Sequence, residues 1–160
     1  MRRIGFVLLS LLAVCPIALT AQSAIDFGSL VRRGDNYLHP RTLEPYRGEV
    51  VSFWTPDRVS ERGTMVNGRW DGVHEWFHIN GQLSSREIYV DGQLNGPSTS
   101  YFKNGQLSIQ ETYKDGQRDG AYESFWSKGR LAEQGIWTAG ERCGEWSTFG
   151  DVVMHPACPG

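Results

Sequence analysis

Net charge is almost absent from this 160-residue chain, in which 16 lysines and arginines face 18 aspartates and glutamates. A protein without a basic excess has little to neutralise phosphates with, so nucleic acid is not an expected partner. Histidine is scarce at four copies. His74 and His78 are four apart, which would bring two ligands together on a helix, but on a strand they stand about 13 Å apart and cannot share a metal. Glu75 between them points the other way. His39 and His155 are isolated beside Pro40 and Pro156, with no Gly-x-Ser-x-Gly elbow or papain-like cysteine context to join. The acids Glu111, Asp115 and Asp119 lack the liganding pattern of a calcium loop and suit turns better. We therefore expect no catalytic group, no metal site and no cofactor.

Long hydrophobic runs are also missing, except at the amino terminus. There Arg2 and Arg3 precede an apolar stretch from Ile4 to Val14 and on to Leu19, followed by Thr20, Ala21, Gln22 and Ser23. This reads as a secretory signal peptide over residues 1–21, since the apolar core is short for a membrane span. An uncleaved anchor is the alternative. A lipobox-like reading would lipidate Cys15 in LAVC and make an outer-membrane lipoprotein, although Val14 stands where a small residue belongs. Export to the periplasm or medium is the expected localisation. Removing residues 1–21 leaves 14 basic against 18 acidic residues, a net charge of −4.

Only three cysteines are present, and export leaves Cys143 and Cys158. An oxidising compartment favours pairing them, which would pin Val152, Val153 and Met154 against the last repeat; two free thiols are the alternative.

What the chain has instead is period. Gly48, Gly72, Gly96, Gly120 and Gly144 recur every 24 residues, as do Phe53, Phe77, Tyr101, Phe125 and Phe149. Met65, Tyr89, Tyr113 and Trp137 form another column, Gly68, Gly92, Gly116 and Gly140 a second glycine column, and Gly81, Gly105 and Gly129 a third. Such a period marks a repeat architecture. The units are 48–71, 72–95, 96–119, 120–143 and a partial 144–150. Residues 22–45 form a lead-in covering the first repeat, with Tyr37 and Leu38 as a short edge strand, and 151–160 form a tail.

Within a unit, Asn104-Gly105 between two strand-forming runs suits a two-residue hairpin turn. Asp115-Gly116, followed by Asp119-Gly120, suits a looser turn into the next unit. The expected fold is all-β, an antiparallel meander of 24-residue hairpins in one elongated sheet or trough. About nine strands at roughly 4.8 Å spacing span about 40 Å. A single hairpin cannot bury enough to hold itself, so neighbours must stack.

Alternation along a strand then assigns faces. Leu107, Ile109 and Tyr113 share one face, with Tyr101 expected beside Leu107. Trp54, Trp76, His78, Phe102, Tyr122, Trp126 and Trp146 gather on the opposite side. Trp54, Trp76, Phe102, Tyr122, Trp126 and Trp146 are the candidate binding residues, as a groove in which a partner strand, an apolar protein surface or a sugar ring stacks. The competing reading is that these rings pack on one another.

The copies GVHEWFHINGQLSSREIYVDGQLNG and GPSTSYFKNGQLSIQETYKDGQRDG, with the lead-in DNYLHPRTLEPYRGEVVSFW, resemble the MORN-repeat variant of bacterial antitoxin-like proteins. The resemblance covers residues 35 to about 150. It departs at Pro56 and Asp57 in the first copy and at Lys128 and Ala139 in the fourth. It implies an all-β array that works by binding, as a protein scaffold or at a membrane or lipid. The expected function is an exported protein-binding or scaffold module, immunity-like in one version, with an unidentified protein partner. The alternative is a cell-envelope structural module that touches lipid or peptidoglycan.

Overall fold

The computed structural model describes residues 24–159. The expected signal peptide and Cys15 therefore lie outside the described residues. Two short strands open the chain, β1 (Ile25–Asp26) and β2 (Val31–Arg33), separated by a 3-10 turn at Phe27–Ser29. There follow β3 (Asn36–Leu38), β4 (Gly48–Thr55), β5 (Arg58–Val66), β6 (Arg69–Phe77), β7 (Leu83–Val90), β8 (Gln93–Leu94), β9 (Gly96–Tyr101), β10 (Leu107–Lys114), β11 (Gln117–Phe125), β12 (Leu131–Thr138), β13 (Glu141–Thr148) and β14 (Asp151–Met154).

From β4 to β14 the strands lie side by side in chain order as an antiparallel meander, and β1 adds to β4 in parallel, giving a 12-stranded sheet. The expected nine strands become twelve for three reasons. β1 joins one edge, β14 joins the other, and β8 and β9 are one bent strand interrupted at Asn95, with β8 pairing only with β7.

The two turn types exchange the places expected of them. In the Asn104-Gly105 loop only Gly105 has positive φ, at +82°. Gly105 N–H donates to the Phe102 carbonyl and Phe102 N–H to the Gln106 carbonyl. This is a three-residue loop closed by a left-handed glycine. The two-residue turns lie at the opposite ends of the strands, where both central residues have positive φ: Asn67-Gly68, Asp91-Gly92, Asp115-Gly116 and Ala139-Gly140. That pattern is type I′, whose twist matches the flanking strands.

Asn104 has a different task from the one read into it. Its Nδ2 donates to the Ser127 carbonyl of the next loop at 2.9 Å, and Asn80 does the same to Lys103 at 2.9 Å. Each asparagine thus ties one repeat to the next. In the first copy, where Asp57 replaces the glycine, Arg58 Nη1 reaches the Ile79 carbonyl instead. Along the other edge, the turn glycines Gly92, Gly116 and Gly140 donate to the Trp70, Leu94 and Arg118 carbonyls of the preceding repeat, and Gly68 donates to the Tyr46 carbonyl just before the first repeat.

Placing the two-residue turn at Asp115-Gly116 corrects the faces. It pairs Lys114 with Gln117 and Tyr113 with Arg118, so odd-numbered residues of β10 share a side with even-numbered residues of β11. Further along, Glu111 pairs with Tyr122 and Ile109 with Ser124. Tyr113 and Ile109 are therefore on the same face as Tyr122, Trp76 and Trp146, not opposite them. Tyr101 does pair with Leu107, across a bulge that returns Ser100 to Ile109. The other face carries Arg62, Glu75 and Arg86 side by side, with Arg62 to Glu75 at 2.7 Å.

The lead-in also differs from expectation. The first edge is covered by β1, while Tyr37 and Leu38 pair with β2 in a separate two-stranded sheet. That small sheet packs where β5 turns into β6, because Tyr37 N–H donates to Gly68 and Tyr46 N–H to Tyr37. The apolar core sits there: Tyr46, Val50 and Met65 are buried, with Ile25, Phe27, Leu30, Tyr37 and Trp70 against them. At the far end, Cys143 and Cys158 form a disulfide across 15 residues of sequence.

Candidate functional site

One face of the sheet collects the rings, and a single column of the repeat organises it. The column reads Gly63, Glu87, Glu111, Gly135. At the ends its glycines make room for rings from the neighbouring strand. A Cβ on Gly63 would lie 3.0 Å from the His74 ring, and one on Gly135 would overlap the Trp146 indole. In the middle the column holds glutamates: Glu111 lies between the small Ser98 and Tyr122, and Glu87 faces His74.

Each of these acids is engaged. Tyr89 donates its hydroxyl to Glu87 at 2.8 Å, and Tyr113 donates to Glu111 at 3.0 Å. Burial pushes both tyrosine hydroxyls above their ordinary range, and the adjacent carboxylate pushes them further. Arg118 Nε lies 2.6 Å from Glu111. Burial draws its pKa down, but the Glu111 charge outweighs that and the net direction is up. Because Glu111 is 7% exposed, losing these donors would leave a carboxylate nearly out of water.

Towards the amino-terminal side, His74 is buried between two indoles, 3.9 Å from the Trp70 ring and 3.8 Å from Trp76. Its Nε2 is 2.8 Å from Glu61, and its Nδ1 has no partner among the described residues. His78 lies at the loop edge and uses Nε2 on the Tyr101 carbonyl at 2.9 Å. The two histidines thus engage different partners.

Beside this stack an open groove of about 820 Å³ runs along the second repeat, with Trp54 of the first repeat and Lys103 of the third at its sides. Trp54, Trp76 and Tyr89 supply rings, Glu87 and Lys103 supply opposite charges, and Ser85 supplies a hydroxyl. Trp54 is 55% exposed, yet its position is set, because Nε1 donates to the Phe77 carbonyl at 2.8 Å. His78 makes the corresponding bond one repeat later, so the groove wall is built by the period itself.

The six residues singled out from the sequence fall into three places. Trp54 and Trp76 line the groove together. Tyr122 and Trp146 belong to the carboxy-terminal packing, stacked with centroids 5.6 Å apart, and Trp146 is wholly buried. Phe102 and Trp126 sit at loop ends, Trp126 against Phe149 at 5.6 Å. For Tyr122 and Trp146 the rings pack on one another, as the competing reading had it. Tyr89, Glu87 and Lys103 were missed as groove residues. Tyr89 and Glu87 stand on the Trp76 side because β7 pairs with β6 as Trp76 to Ser85 and His74 to Glu87, beyond a bulge at Phe77 for which the sequence carries no evident signal.

Residues 94–115 match the family described as MORN repeat variant. The match runs from the end of β8 to the turn after β10, slightly less than one 24-residue period, and the same columns extend to both sides of it. No curated protein matches the chain.

Proposed function

We propose that this chain is an exported MORN-type repeat protein that works by binding another protein rather than by catalysis, as a scaffold or in an immunity-like role. MORN repeats are associated with protein or membrane-lipid binding. The observation that carries the reading is the groove, where two indoles and a tyrosine stand beside Glu87 and Lys103 on a rigid sheet. Aromatic anchors rimmed by a few polar groups are the usual composition of a protein-binding patch. The Cys143–Cys158 disulfide supports an oxidising compartment.

The test is co-purification from cell-envelope extract with the wild-type chain and with Trp54→Ala. Trp54 is exposed, so its loss should leave the fold intact by circular dichroism while removing a stoichiometric protein partner. Retention of that partner by the folded variant, or no stoichiometric partner for either chain, would overturn the reading.

A second reading rests on the loop edge, where Trp54, Ile79, Trp126 and Phe149 are exposed near Lys103 and Lys128. Exposed indoles with basic neighbours suit an envelope surface, anionic lipid or peptidoglycan. Co-sedimentation with anionic vesicles or with peptidoglycan that Trp126→Ala abolishes would favour it. Pellets free of the chain would remove it.

A further inference from the structure

The last strand is an edge that nothing among the described residues covers. Among the described residues β14 pairs only with β13, and Val152, Val153 and Met154 are 60%, 48% and 70% exposed. Asp151 is its one charged residue. Natural proteins ordinarily blunt such an edge with charge, proline or a covering segment. Here the first proline, Pro156, comes after the strand has ended.

The direction of its free backbone groups is fixed by the ladder. His155 N–H donates to the Gly144 carbonyl. Because alternate residues of an antiparallel strand direct their N–H and C=O to the same side, Asp151 and Val153 point to β13 with His155. Val152 and Met154 then direct theirs outward, two donors and two acceptors with no partner among the described residues. The spacing is self-complementary. If a second copy lies antiparallel about a two-fold axis at Val153, Val152 of one copy meets Met154 of the other, and all four outward groups of each copy are satisfied. The same register places Asp151 of each copy opposite His155 of the other, an acid against an imidazole, on both sides of the axis. An arbitrary extended peptide would meet the backbone groups but not this pair.

We infer that the partner of β14 is a second copy of this chain, joined strand to strand so that two 12-stranded sheets become one continuous sheet. The two-fold pairing closes on itself, because each copy has one β14 and uses it. At the first edge β1 pairs with Val50 and Val51 and the lead-in packs beside them, which leaves that edge less open to a further copy. This inference does not depend on the groove or on what binds there.

Sedimentation velocity of the oxidised chain should show a dimer that dissociates on dilution. Val152→Pro removes an N–H that the fold does not use, and proline is tolerated on the outward side of an edge strand. Each dimer loses two hydrogen bonds of ordinary strength, so association should weaken roughly thirtyfold. Near-ultraviolet dichroism of the tryptophans should be unchanged. A wild-type chain that stays monomeric at high concentration would overturn the inference, and so would a folded Val152→Pro chain that dimerises as before. Should that variant fail to fold, hydrogen exchange of the wild-type dimer decides. Slowed Val152 and Met154 amides, returning to fast exchange on dilution, support strand pairing, and amides that exchange freely in the dimer refute it.

Discussion

The two ends of the sheet meet the same difficulty by different means. A terminal repeat has a neighbour on one side only and must close its ring face with something that is not a repeat. At the amino-terminal end the closure is wholly non-covalent. Residues from Ile25 to Tyr46 fold back over Val50 and Met65, each 1% exposed, and Tyr46 is 3% exposed. At the carboxy-terminal end a shorter segment does it. Trp146 is fully buried beneath Trp137 and Tyr122, His155 packs edge-on at 6.1 Å, and Cys158 is bonded back to Cys143. The middle has neighbours on both sides and is the polar part of the face, with Ser98 and Glu111 buried instead of rings. Tyr113 on its own strand and Arg118 on the neighbouring one supply partners for Glu111.

The largest effect should come from removing the keystone at either end. Trp146→Ala should cost about 3–5 kcal/mol and Met65→Ala about 2–5 kcal/mol, read from urea unfolding. If Trp146→Ala costs less than about 1 kcal/mol, the carboxy-terminal end is held by its crosslink and not by packing, and the comparison between ends breaks. Next in size is the crosslink itself. Replacing Cys143 and Cys158 by serine opens a loop of 15 residues, which should cost about 3 kcal/mol. The loss should be local: amide exchange should accelerate in β13 and β14 and stay unchanged around Val50 and Met65. Uniform acceleration would show that the two ends unfold as one unit.

The third prediction concerns the middle. Glu111→Gln keeps the shape and removes the charge facing Arg118 and Tyr113. The Arg118 side chain is 41% exposed, so solvent screens much of the pair. A cost of about 1 kcal/mol is expected, and coupling measured with Arg118→Gln in a double-mutant cycle should account for most of it. Zero coupling would mean that Glu111 is held by Tyr113 alone.

Much of this architecture was legible in the sequence. The glycine and ring columns gave the hairpin period and the meander, and the pair Cys143 and Cys158 followed from compartment and count. Legibility failed where one dipeptide serves two turns. Asn-Gly fits a two-residue type I′ turn, and it equally fits the last two positions of a three-residue loop. The asparagine side chain reaches the next repeat, as Asn104 reaches Ser127, a contact no local reading of one hairpin contains, and the fourth copy closes the same three-residue loop with Lys128 in its place. The faces were misread at the bulge that follows each three-residue loop: Tyr101 pairs with Leu107 but Ser100 with Ile109, and Phe77 with Leu83 but Trp76 with Ser85, so alternation carried straight past the bulge puts Ile109, Tyr113 and Tyr89 on the wrong side. That separated Tyr89 from Trp76 and obscured the groove. The burial of Trp146 was hidden for a related reason: Gly135 matters only through the strand beside it.

The smallest effect distinguishes middle from ends by pH. The hydroxyls of Tyr89 and Tyr113 have folded pKa values above the ordinary value of 10.0, first because they are buried and then because Glu87 and Glu111 accept from them. A group whose pKa is raised by folding contributes stability that is fully present below its unfolded pKa and is lost as pH rises through the folded one. Stability should therefore be flat to about pH 10 and fall above it. Tyr89→Phe together with Tyr113→Phe should flatten that alkaline decline at the expense of two hydrogen bonds, roughly 1 kcal/mol each near neutral pH. Tyr46 complicates the contrast, because it too is raised, chiefly by burial within the amino-terminal core. Tyr46 donates its hydroxyl to the Glu49 carbonyl and not to a carboxylate. Spectrophotometric titration at 295 nm of the wild type and the double variant separates them: the latest-ionising absorbance should disappear with Tyr89 and Tyr113 and leave the Tyr46 step in place. If the latest step survives both substitutions, the alkaline limit belongs to the amino-terminal core, and the polar middle is no more pH-sensitive than the ends that enclose it.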